Sequence, residues 1–263
     1  MKRPLVVIPN YMSEESDMEI LGQCVQSIRQ TVSNSVDILI VDDCSPQQWL
    51  VDVFESRYDR YDFELIRKPE NEGFSRTVNV GLARARDEGR EAILMNADIV
   101  MRTPGWLGKC RKTTVEPGVK AGLVGALLLY PNGLIQHAGL YFSRIANMFE
   151  HRYRCAPGNL PEALVKTVCP VTGAFHYIRP DVLEQVGLYD PMFRMGCEDV
   201  DYGLRVFQAG FHCVYEPAIH AIHYESLFRA RPNEKLMLWQ AASFAYLRQK
   251  WAGVPIAQLA PEL

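Results

Sequence analysis

The chain has 263 residues, of which 48% are hydrophobic and 22% are charged, and its formal net charge is -3. A chain of this length can bury a sizeable core, as one large α/β domain or as two tightly fused halves. The composition excludes wholesale disorder, and the near-neutral charge gives no electrostatic reason to expect a nucleic acid or an anionic membrane as partner.

The cysteines and the N-terminal segment bear on the cellular compartment. The seven cysteines are scattered singly, without a C-x-x-C pair, which favours a reducing compartment. The apolar run near the N-terminus is too short for a signal peptide, and no later apolar stretch approaches the ~20 residues of a membrane span. We therefore expect a soluble, cytoplasmic protein without a transmembrane segment.

Short apolar runs alternate with amphipathic helical stretches in the first half of the chain. The predicted strands cover residues 5–9, 37–41, 63–67 and 92–95, and the predicted helices cover 17–32 and 75–86. These strands are continuously hydrophobic, as strands buried on both faces are. The pattern predicts an α/β fold with a mostly parallel central sheet flanked by helices.

The pattern changes after Gly122. Two β-type runs around the turn Pro131-Asn132-Gly133 predict a hairpin over 123–142. Residues 144–166 have no clear period and predict a long loop. The remaining predicted elements are a strand over 174–179, a short helix from Asp181, a helix over 200–208, two further β-type runs and a terminal helix over 234–251.

Polar residues directly follow three predicted strands, where ligands bind in an open α/β sheet. These segments are Pro9-Asn10-Tyr11, Asp42-Asp43 and Asn96-Ala97-Asp98. A tyrosine ring can stack on a nucleobase, and a carboxylate can accept hydrogen bonds from a base or a ribose. Asp98 also offers a hard oxygen ligand for Mg²⁺ or Mn²⁺ on a diphosphate. Turns after strands favour Asp and Asn for conformational reasons as well, and that explanation stays open.

Three acids fall within four positions at Glu198, Asp199 and Asp201. Asp199 lies where we expect the N-cap of the next helix, so an acidic cap that complements the helix dipole is one explanation. Three acids exceed what a cap needs, and like charges are costly to gather unless a cation or a reaction uses them.

A pair of histidines, His220 and His223, lies in a later β-type run, and strand alternation puts His223 on the same face as Ala221. A histidine in such a run can be structural or a metal ligand. The H-x-x-H spacing differs from the helical H-E-x-x-H of zinc proteases, which argues against zinc hydrolysis.

Taken in order, the segments resemble glycosyltransferase family 2, with its GT-A type of fold, from Leu5 to about Ser226. The matching segments are Val-Val-Ile-Pro-Asn-Tyr at 6–11, Val-Asp-Asp-Cys-Ser at 41–45, Asn-Glu-Gly-Phe-Ser-Arg-Thr-Val-Asn-Val-Gly at 71–81, Asn-Ala-Asp at 96–98, Pro-Asn-Gly-Leu-Ile-Gln-His-Ala-Gly at 131–139, Val-Thr-Gly-Ala-Phe at 171–175, Glu-Asp-Val-Asp at 198–201 and His223. Each motif alone is common, but their order and spacing together are specific. The resemblance implies a Rossmann-like α/β sandwich.

The resemblance also implies a role for each candidate site residue. Pro9, Tyr11 and Asp43 would frame the nucleotide base and ribose, and Asn71, Gly73 and Arg76 would line the donor side. Asp98 would reach a divalent metal, Mn²⁺ or Mg²⁺, on the donor diphosphate, with His223 as second ligand. Asp199 would be the general base, and Glu198 would orient the acceptor, although a solvated acid in the first helical turn explains Glu198 equally well.

Two departures from the family pattern matter. Asn96 stands where the family often has the first aspartate of a D-x-D triplet, so one firm carboxylate remains and His223 becomes more important to metal affinity. The terminal helix offers no Q-x-x-R-W motif, so a resemblance to processive polysaccharide synthases is not supported.

The expected activity is transfer of a hexosyl or deoxyhexosyl group, with inversion, from a nucleoside-diphosphate sugar to a glycan, lipid-linked or protein acceptor. Residues 1–130 would hold the donor, and residues 131–263 would form the acceptor and catalytic half of the same compact domain. One alternative is a sugar-nucleotide pyrophosphorylase, which would need a glycine-rich basic loop where Pro9-Asn10-Tyr11 stands. Another is a non-catalytic carbohydrate-binding relative, against which Asp98, Asp199 and His223 argue.

Overall fold

Four parallel strands form the first part of the sheet. The structure, a computed structural model, describes residues 2–225, 234–254 and 256. The strands are β1 (Leu5–Asn10), β2 (Asp37–Asp42), β3 (Glu64–Arg67) and β4 (Ala92–Met95), and they lie side by side in the order β4-β1-β2-β3. All three neighbouring pairs are parallel. The four predicted strands and the predicted α/β class are therefore confirmed, but β3 is a half-exposed edge strand and not a buried one.

Helices cover both faces of this sheet. The helices of the first half are α1 (Glu15–Val32), α2 (Gln48–Tyr58), α3 (Phe74–Asp87) and α4 (Trp106–Thr114). Val6 and Ile8 of β1 belong to the buried cluster that contains α1, whereas Val7 belongs to the cluster that contains α3. Successive strand residues point to opposite faces, so a strand covered on both sides must be apolar throughout. Gly81 lets α3 approach β1, since a Cβ atom there would lie 2.5 Å from Val7.

The rest of the chain completes the same sheet and adds a separate two-stranded sheet. Its elements are β5 (Ile99–Met101), β6 (Ala121–Leu129), β7 (Ile135–His137), β8 (Leu140–Ser143), β9 (Met148–His151), β10 (Thr167–Val168), β11 (Phe175–Ile178), α5 (Pro180–Val186), α6 (Glu198–Gln208), β12 (His212–His223) and α7 (Glu234–Lys250). The large sheet runs β10-β12-β6-β11-β4-β1-β2-β3, with β5 beside β12 and β7 beside β6, and the separate sheet consists of β8 and β9. The late strand β11 is antiparallel to both β4 and β6, between which it lies.

Several sequence expectations need correction. The hairpin is present as β6 with β7, but residues 144–166 are not a plain loop, because β9 lies there and pairs with β8. The two late β-type runs are one strand, β12, interrupted by a register shift between Glu216 and His220. Within the described residues, no helix is both long and apolar enough to cross a membrane.

The start of α6 also differs from expectation. The N-cap is Cys197, not Asp199, and the helix begins at Glu198. Gly196 and Cys197 both have positive φ, 83° and 68°, and this left-handed turn leads the chain into the helix earlier than the apolar pattern indicated. Asp199 therefore lies inside the first helical turn and is not the N-cap.

Candidate active site

One cavity of about 950 Å³ gathers most of the candidate residues. It lies at the carboxyl ends of β1, β2 and β4, where an open α/β sheet binds its ligands. The predicted site residues that line it are Pro9, Tyr11, Asp43, Asn71, Gly73, Asn96, Asp98, Glu198, Asp199 and His223. Arg76 does not line it. Its side chain is 45% exposed and lies 3.7 Å from the Glu72 carboxylate.

Asp43 fixes the loop that follows β3. Its Oδ1 atom accepts hydrogen bonds from Lys68 Nζ at 2.7 Å and from the Glu72 backbone N–H at 3.0 Å. Its Oδ2 atom accepts from the Gly73 N–H at 2.8 Å. Both carboxylate oxygens therefore hold the segment that carries Asn71 and Gly73 against the end of β2. This scaffolding role is additional to the nucleotide contact that the sequence predicted.

The neighbouring acid, Asp42, is wholly buried and shapes the turn below the cavity floor. Its Oδ1 atom accepts from Asn10 Nδ2 at 2.7 Å, and its Oδ2 atom accepts from the Ser45 N–H at 3.0 Å. Ser45 Oγ in turn accepts from the Met12 N–H at 2.7 Å. These bonds join the ends of β1 and β2, so Tyr11, which is 37% exposed, is presented at the cavity rim.

Strand pairing brings Asp98 and His223 together. Asp98 precedes β5, whose first residue, Ile99, pairs with His223 at the end of β12. The Tyr224 N–H donates to the Asp98 carbonyl at 3.0 Å and continues this pairing. As a result, His223 Nε2 lies 3.1 Å from Asp98 Oδ1, with both side chains largely buried.

The Asp98 and His223 side chains fit a hard divalent cation that a substrate would help to coordinate. Among the described residues, no group of three or more His, Cys, Asp or Glu side chains could hold a metal. Mg²⁺ and related ions are commonly bound by one or two protein ligands together with substrate phosphates and water. Two neighbouring ligands of an octahedral ion with bonds of about 2.1 Å are about 3.0 Å apart, close to the observed separation. Asn96 Oδ1 is buried beside the cavity and accepts no hydrogen bond from the described residues.

Asp199 is held in place from the facing loop. Its Oδ2 atom accepts from the Gly173 N–H at 3.0 Å, and its Oδ1 atom accepts from the Val200 N–H at 2.8 Å. A Cβ atom on Gly173 would lie 3.2 Å from that of Asp199, so a small residue is needed for this contact. The N-terminus of α6 also favours negative charge at Glu198 and Asp199. The carboxylate thus has a set orientation at the cavity wall.

Asp201, the third acid of the cluster, anchors α7 instead of facing the cavity. Its buried carboxylate accepts from Lys250 Nζ at 2.7 Å, from Trp251 Nε1 at 3.0 Å and from Arg205 Nε at 2.9 Å. Lys250 also pairs with Asp190 at 2.7 Å. Residues of α7, including Trp239, line the cavity, so this anchor holds one of its walls.

A pair of histidines that the sequence did not reveal, the buried His137 and the half-buried His151, lies at the cavity wall. His137 Nε2 accepts hydrogen bonds at 3.3 Å from the backbone N–H groups of Gly139 and Thr172. The ring hydrogen is therefore on Nδ1, which faces His151 Nδ1 at 3.0 Å. Burial lowers the pKa of His137 well below its usual range, and the neighbouring His151 lowers it further. The pair links the cavity wall at His151 to the loop that carries Gly173.

Comparison with known sequences supports the resemblance. Residues 5–124 match the family model described as Glycosyl transferase family 2. The chain is 26% identical to the uncharacterized protein y4gI of Sinorhizobium fredii, over 94% of the chain and 27% of that protein. It is 29% identical to the O-antigen biosynthesis protein RfbC of Myxococcus xanthus, over 64% of the chain and 14% of that protein. It is 37% identical to the rhamnosyltransferase WbbL of Escherichia coli, over 30% of each. The chain therefore spans less than a third of the length of these relatives.

Solved structures share the fold. The mannosyltransferase PcManGT from Pyrobaculum calidifontis, in complex with GDP-Man and Mn²⁺, has a TM-score of 0.61 and 16% identity over 95% of this chain and 64% of that one. GalNAc-T7 with UDP, GalNAc and Mn²⁺ has a TM-score of 0.65 and 14% identity over 98% of this chain and 58% of that one. At such identities the likeness establishes the fold alone. The match of residues 5–124 and the sequence relatives support glycosyltransferase family 2 for this chain, and the fold agrees with it.

Proposed function

We propose that the chain transfers a hexosyl or deoxyhexosyl group from a nucleoside-diphosphate sugar to an acceptor hydroxyl, with inversion and with the help of a divalent cation. The observation that carries this proposal is that one cavity holds both the Asp98 and His223 pair and the fixed carboxylate of Asp199. Similar proteins support it, since one is named a rhamnosyltransferase and two solved structures contain Mn²⁺ with a nucleotide or a nucleotide sugar.

The first half of the chain would bind the donor. Tyr11 at the rim would stack on the base, and the loop held by Asp43 would lie along the ribose and diphosphate. Asp98 and His223 would hold Mn²⁺ or Mg²⁺ on the diphosphate. When bound, the cation would neutralise the charge that develops on the departing nucleoside diphosphate.

The second half would bind the acceptor and remove its proton. The acceptor oxygen forms a bond to the anomeric carbon as the bond from that carbon to the diphosphate breaks, and the hydroxyl proton moves to the Asp199 carboxylate. Attack from the face opposite the leaving group inverts the anomeric configuration, through an oxocarbenium-like transition state. The hydrogen bond from Gly173 would keep Asp199 oriented, and Glu198 would orient the acceptor. A glycan, lipid-linked or protein hydroxyl fits this chemistry.

A donor screen tests the proposal. Calorimetry with UDP, GDP and dTDP sugars, with and without Mn²⁺, should identify one nucleotide class whose binding is tighter with the metal. Slow release of the corresponding nucleoside diphosphate should follow. Formation of a nucleoside triphosphate on addition of pyrophosphate would instead indicate a pyrophosphorylase. Tight carbohydrate binding without release of nucleoside diphosphate would indicate a non-catalytic protein.

A further inference from the structure

The motif Ile-Gln-His-Ala-Gly at 135–139 contains Gln136, whose side chain contacts His223 of the Asp98 and His223 pair. Gln136 lies in the middle of β7, is 3% exposed and lines the cavity. Its Oε1 atom lies 2.5 Å from His223 Nδ1, and its Nε2 atom donates to Glu225 Oε2 at 2.8 Å. The side chain therefore bridges His223 and Glu225, which lie at the end of β12 and just after it.

The orientation of this amide follows from its partners. A carboxylate accepts hydrogen bonds, so the Glu225 side selects the NH₂ group of Gln136 and turns the carbonyl oxygen toward His223. A carbonyl oxygen cannot donate, so the ring atom that faces it, His223 Nδ1, must carry a hydrogen. In a neutral imidazole the other nitrogen, Nε2, then has a lone pair. That lone pair faces Asp98 Oδ1 at 3.1 Å.

Two acceptors at this separation repel each other unless a positive species lies with them, which is a second ring proton on Nε2 in the metal-free protein or a divalent cation in the loaded one. A divalent cation bound by both Nε2 and Oδ1 would turn the repulsion into two coordination bonds. Ligating histidines usually donate their other N–H to a carbonyl or carboxylate, which fixes the tautomer and the ring orientation. The same arrangement is present here, because the side chains follow one another in the order Glu225, Gln136, His223 and Asp98.

We propose that Gln136 is a positioning residue for metal binding, which holds His223 in the Nδ1–H tautomer with Nε2 directed at the cation, while Glu225 fixes the orientation of the Gln136 amide. The inference rests on the proposed function, because it assigns a task to residues around the same metal site. It explains why the sequence needs glutamine, with both a donor and an acceptor, at a buried position between a histidine and a carboxylate.

The tautomer can be measured in the metal-free protein. Long-range ¹H–¹⁵N spectra of protein labelled at histidine distinguish the two neutral tautomers, and His223→Ala identifies the signals among the six histidines. The expected result is a hydrogen on Nδ1 of His223, in the neutral or the doubly protonated ring, and its loss in Gln136→Met, which has a similar shape but no carbonyl acceptor. An Nε2–H tautomer in the parent protein would overturn the inference, even if the methionine variant failed to fold.

The second measurement is affinity for Mn²⁺, alone and with a saturating nucleoside diphosphate, titrated by the loss of the free-ion electron paramagnetic resonance signal. Gln136→Met should weaken Mn²⁺ binding by about 10- to 100-fold, the usual effect of removing such an outer partner. The double variant Gln136→Glu with Glu225→Gln should restore most of the affinity, since it keeps net charge, an acceptor toward His223 and one hydrogen bond between positions 136 and 225.

A matched control is Thr103→Val, which removes the partner of a histidine outside the site. Thr103 Oγ1 lies 3.0 Å from Nδ1 of His220, and its loss should leave Mn²⁺ affinity unchanged. If the parent binds Mn²⁺ and Gln136→Met binds it equally well, this inference is wrong and the proposed function stands. If the parent binds no Mn²⁺ either alone or with a saturating nucleoside diphosphate, the metal-assisted part of the proposed function is wrong as well.

Discussion

His223 Nε2 and Asp98 Oδ1 are 3.1 Å apart although the two residues come from different halves of the chain. We predict that Asp98→Asn, which keeps the size of the side chain but removes its charge, weakens donor binding in the presence of Mn²⁺ and leaves metal-free binding almost unchanged. His223→Ala should act in the same direction. Calorimetry with the donor found in the screen measures both effects.

Arg76→Ala is the control for this pair. Because Arg76 lies outside the cavity, this variant should bind the donor as tightly as the parent does. If Asp98→Asn behaves like Arg76→Ala, Asp98 is a turn residue and the metal site is elsewhere.

Asp199 allows a second prediction. Asp199→Asn keeps one oxygen acceptor for the Gly173 N–H but turns an NH₂ group toward the Val200 N–H, so stability should fall by about 1–3 kcal/mol. Because an amide cannot take the acceptor proton, sugar transfer should fall by about 10²- to 10⁴-fold while donor binding persists. Steady-state transfer assays and thermal melting give the two quantities.

The neighbouring variant Glu198→Gln separates the two acids at the start of α6. It should retain more transfer activity than Asp199→Asn, with the loss appearing mainly in the KM for the acceptor. The opposite order, with Glu198→Gln inactive and Asp199→Asn near the parental rate, would mean that Glu198 is the base.

The third prediction concerns pH and stability. Burial lowers the pKa values of His137 and His176 below the ordinary value of a histidine. Below pH ~6.5 these two histidines therefore bind fewer protons in the folded state than in the unfolded state. The free energy of unfolding is then largest above pH ~6.5 and decreases as the pH falls below that value. Each histidine can contribute about 1.4 kcal/mol of lost stability per pH unit.

Urea unfolding at several pH values between ~8 and ~5.5 measures the slope of the free energy of unfolding against pH. Ordinary carboxyl groups titrate below this range. His176→Gln removes one of the two buried rings and should make the slope shallower. An unchanged slope in that variant would show that His176 is not a source of the acid sensitivity.

The anchor of α7 supports a fourth prediction. Asp201→Ala leaves Lys250 and Arg205 without their shared buried carboxylate, so the free energy of unfolding should fall by about 3–5 kcal/mol. Asp87→Ala is the matched control, since the Arg86 and Asp87 pair is exposed and should contribute about 1 kcal/mol at most. Urea unfolding of both variants decides the comparison, and equal losses would contradict the anchoring role.

Strongly periodic segments were predictable from the sequence, whereas short elements and contacts between distant segments were not. The buried strands and α1 were predicted because continuous or evenly spaced apolar residues define them. The helix α2 was missed because its buried residues, Leu50, Val51 and Phe54, make a weak pattern. The hairpin of β8 and β9 depends on pairing between two short strands. The N-cap at Cys197 depends on a left-handed backbone conformation that a cysteine does not predict.

The candidate site shows the same division. Motif order indicated ten of the residues around the cavity, most of which lie at or just after the end of a strand or near the start of a helix. Gln136 was part of a quoted motif, but its proposed role depends on its contact with His223. That contact forms because β7, β6 and β12 lie side by side, which only the tertiary structure shows. Arg76 belonged to a motif as well, yet its helical position directs the side chain to Glu72 and solvent.

The position of β11 has a consequence for how such a protein can diversify. A strand from the second half is inserted between two strands from the first half, with Phe175 opposite Met95 on one side and Tyr177 opposite Val124 on the other. A recombination event that exchanged residues 131–263 with those of a relative would have to preserve both registers, and a fragment ending before β11 would leave β4 with an unpaired, aggregation-prone edge. New donor or acceptor preferences should therefore arise through substitutions in the loops around the cavity, and not through exchange of whole halves.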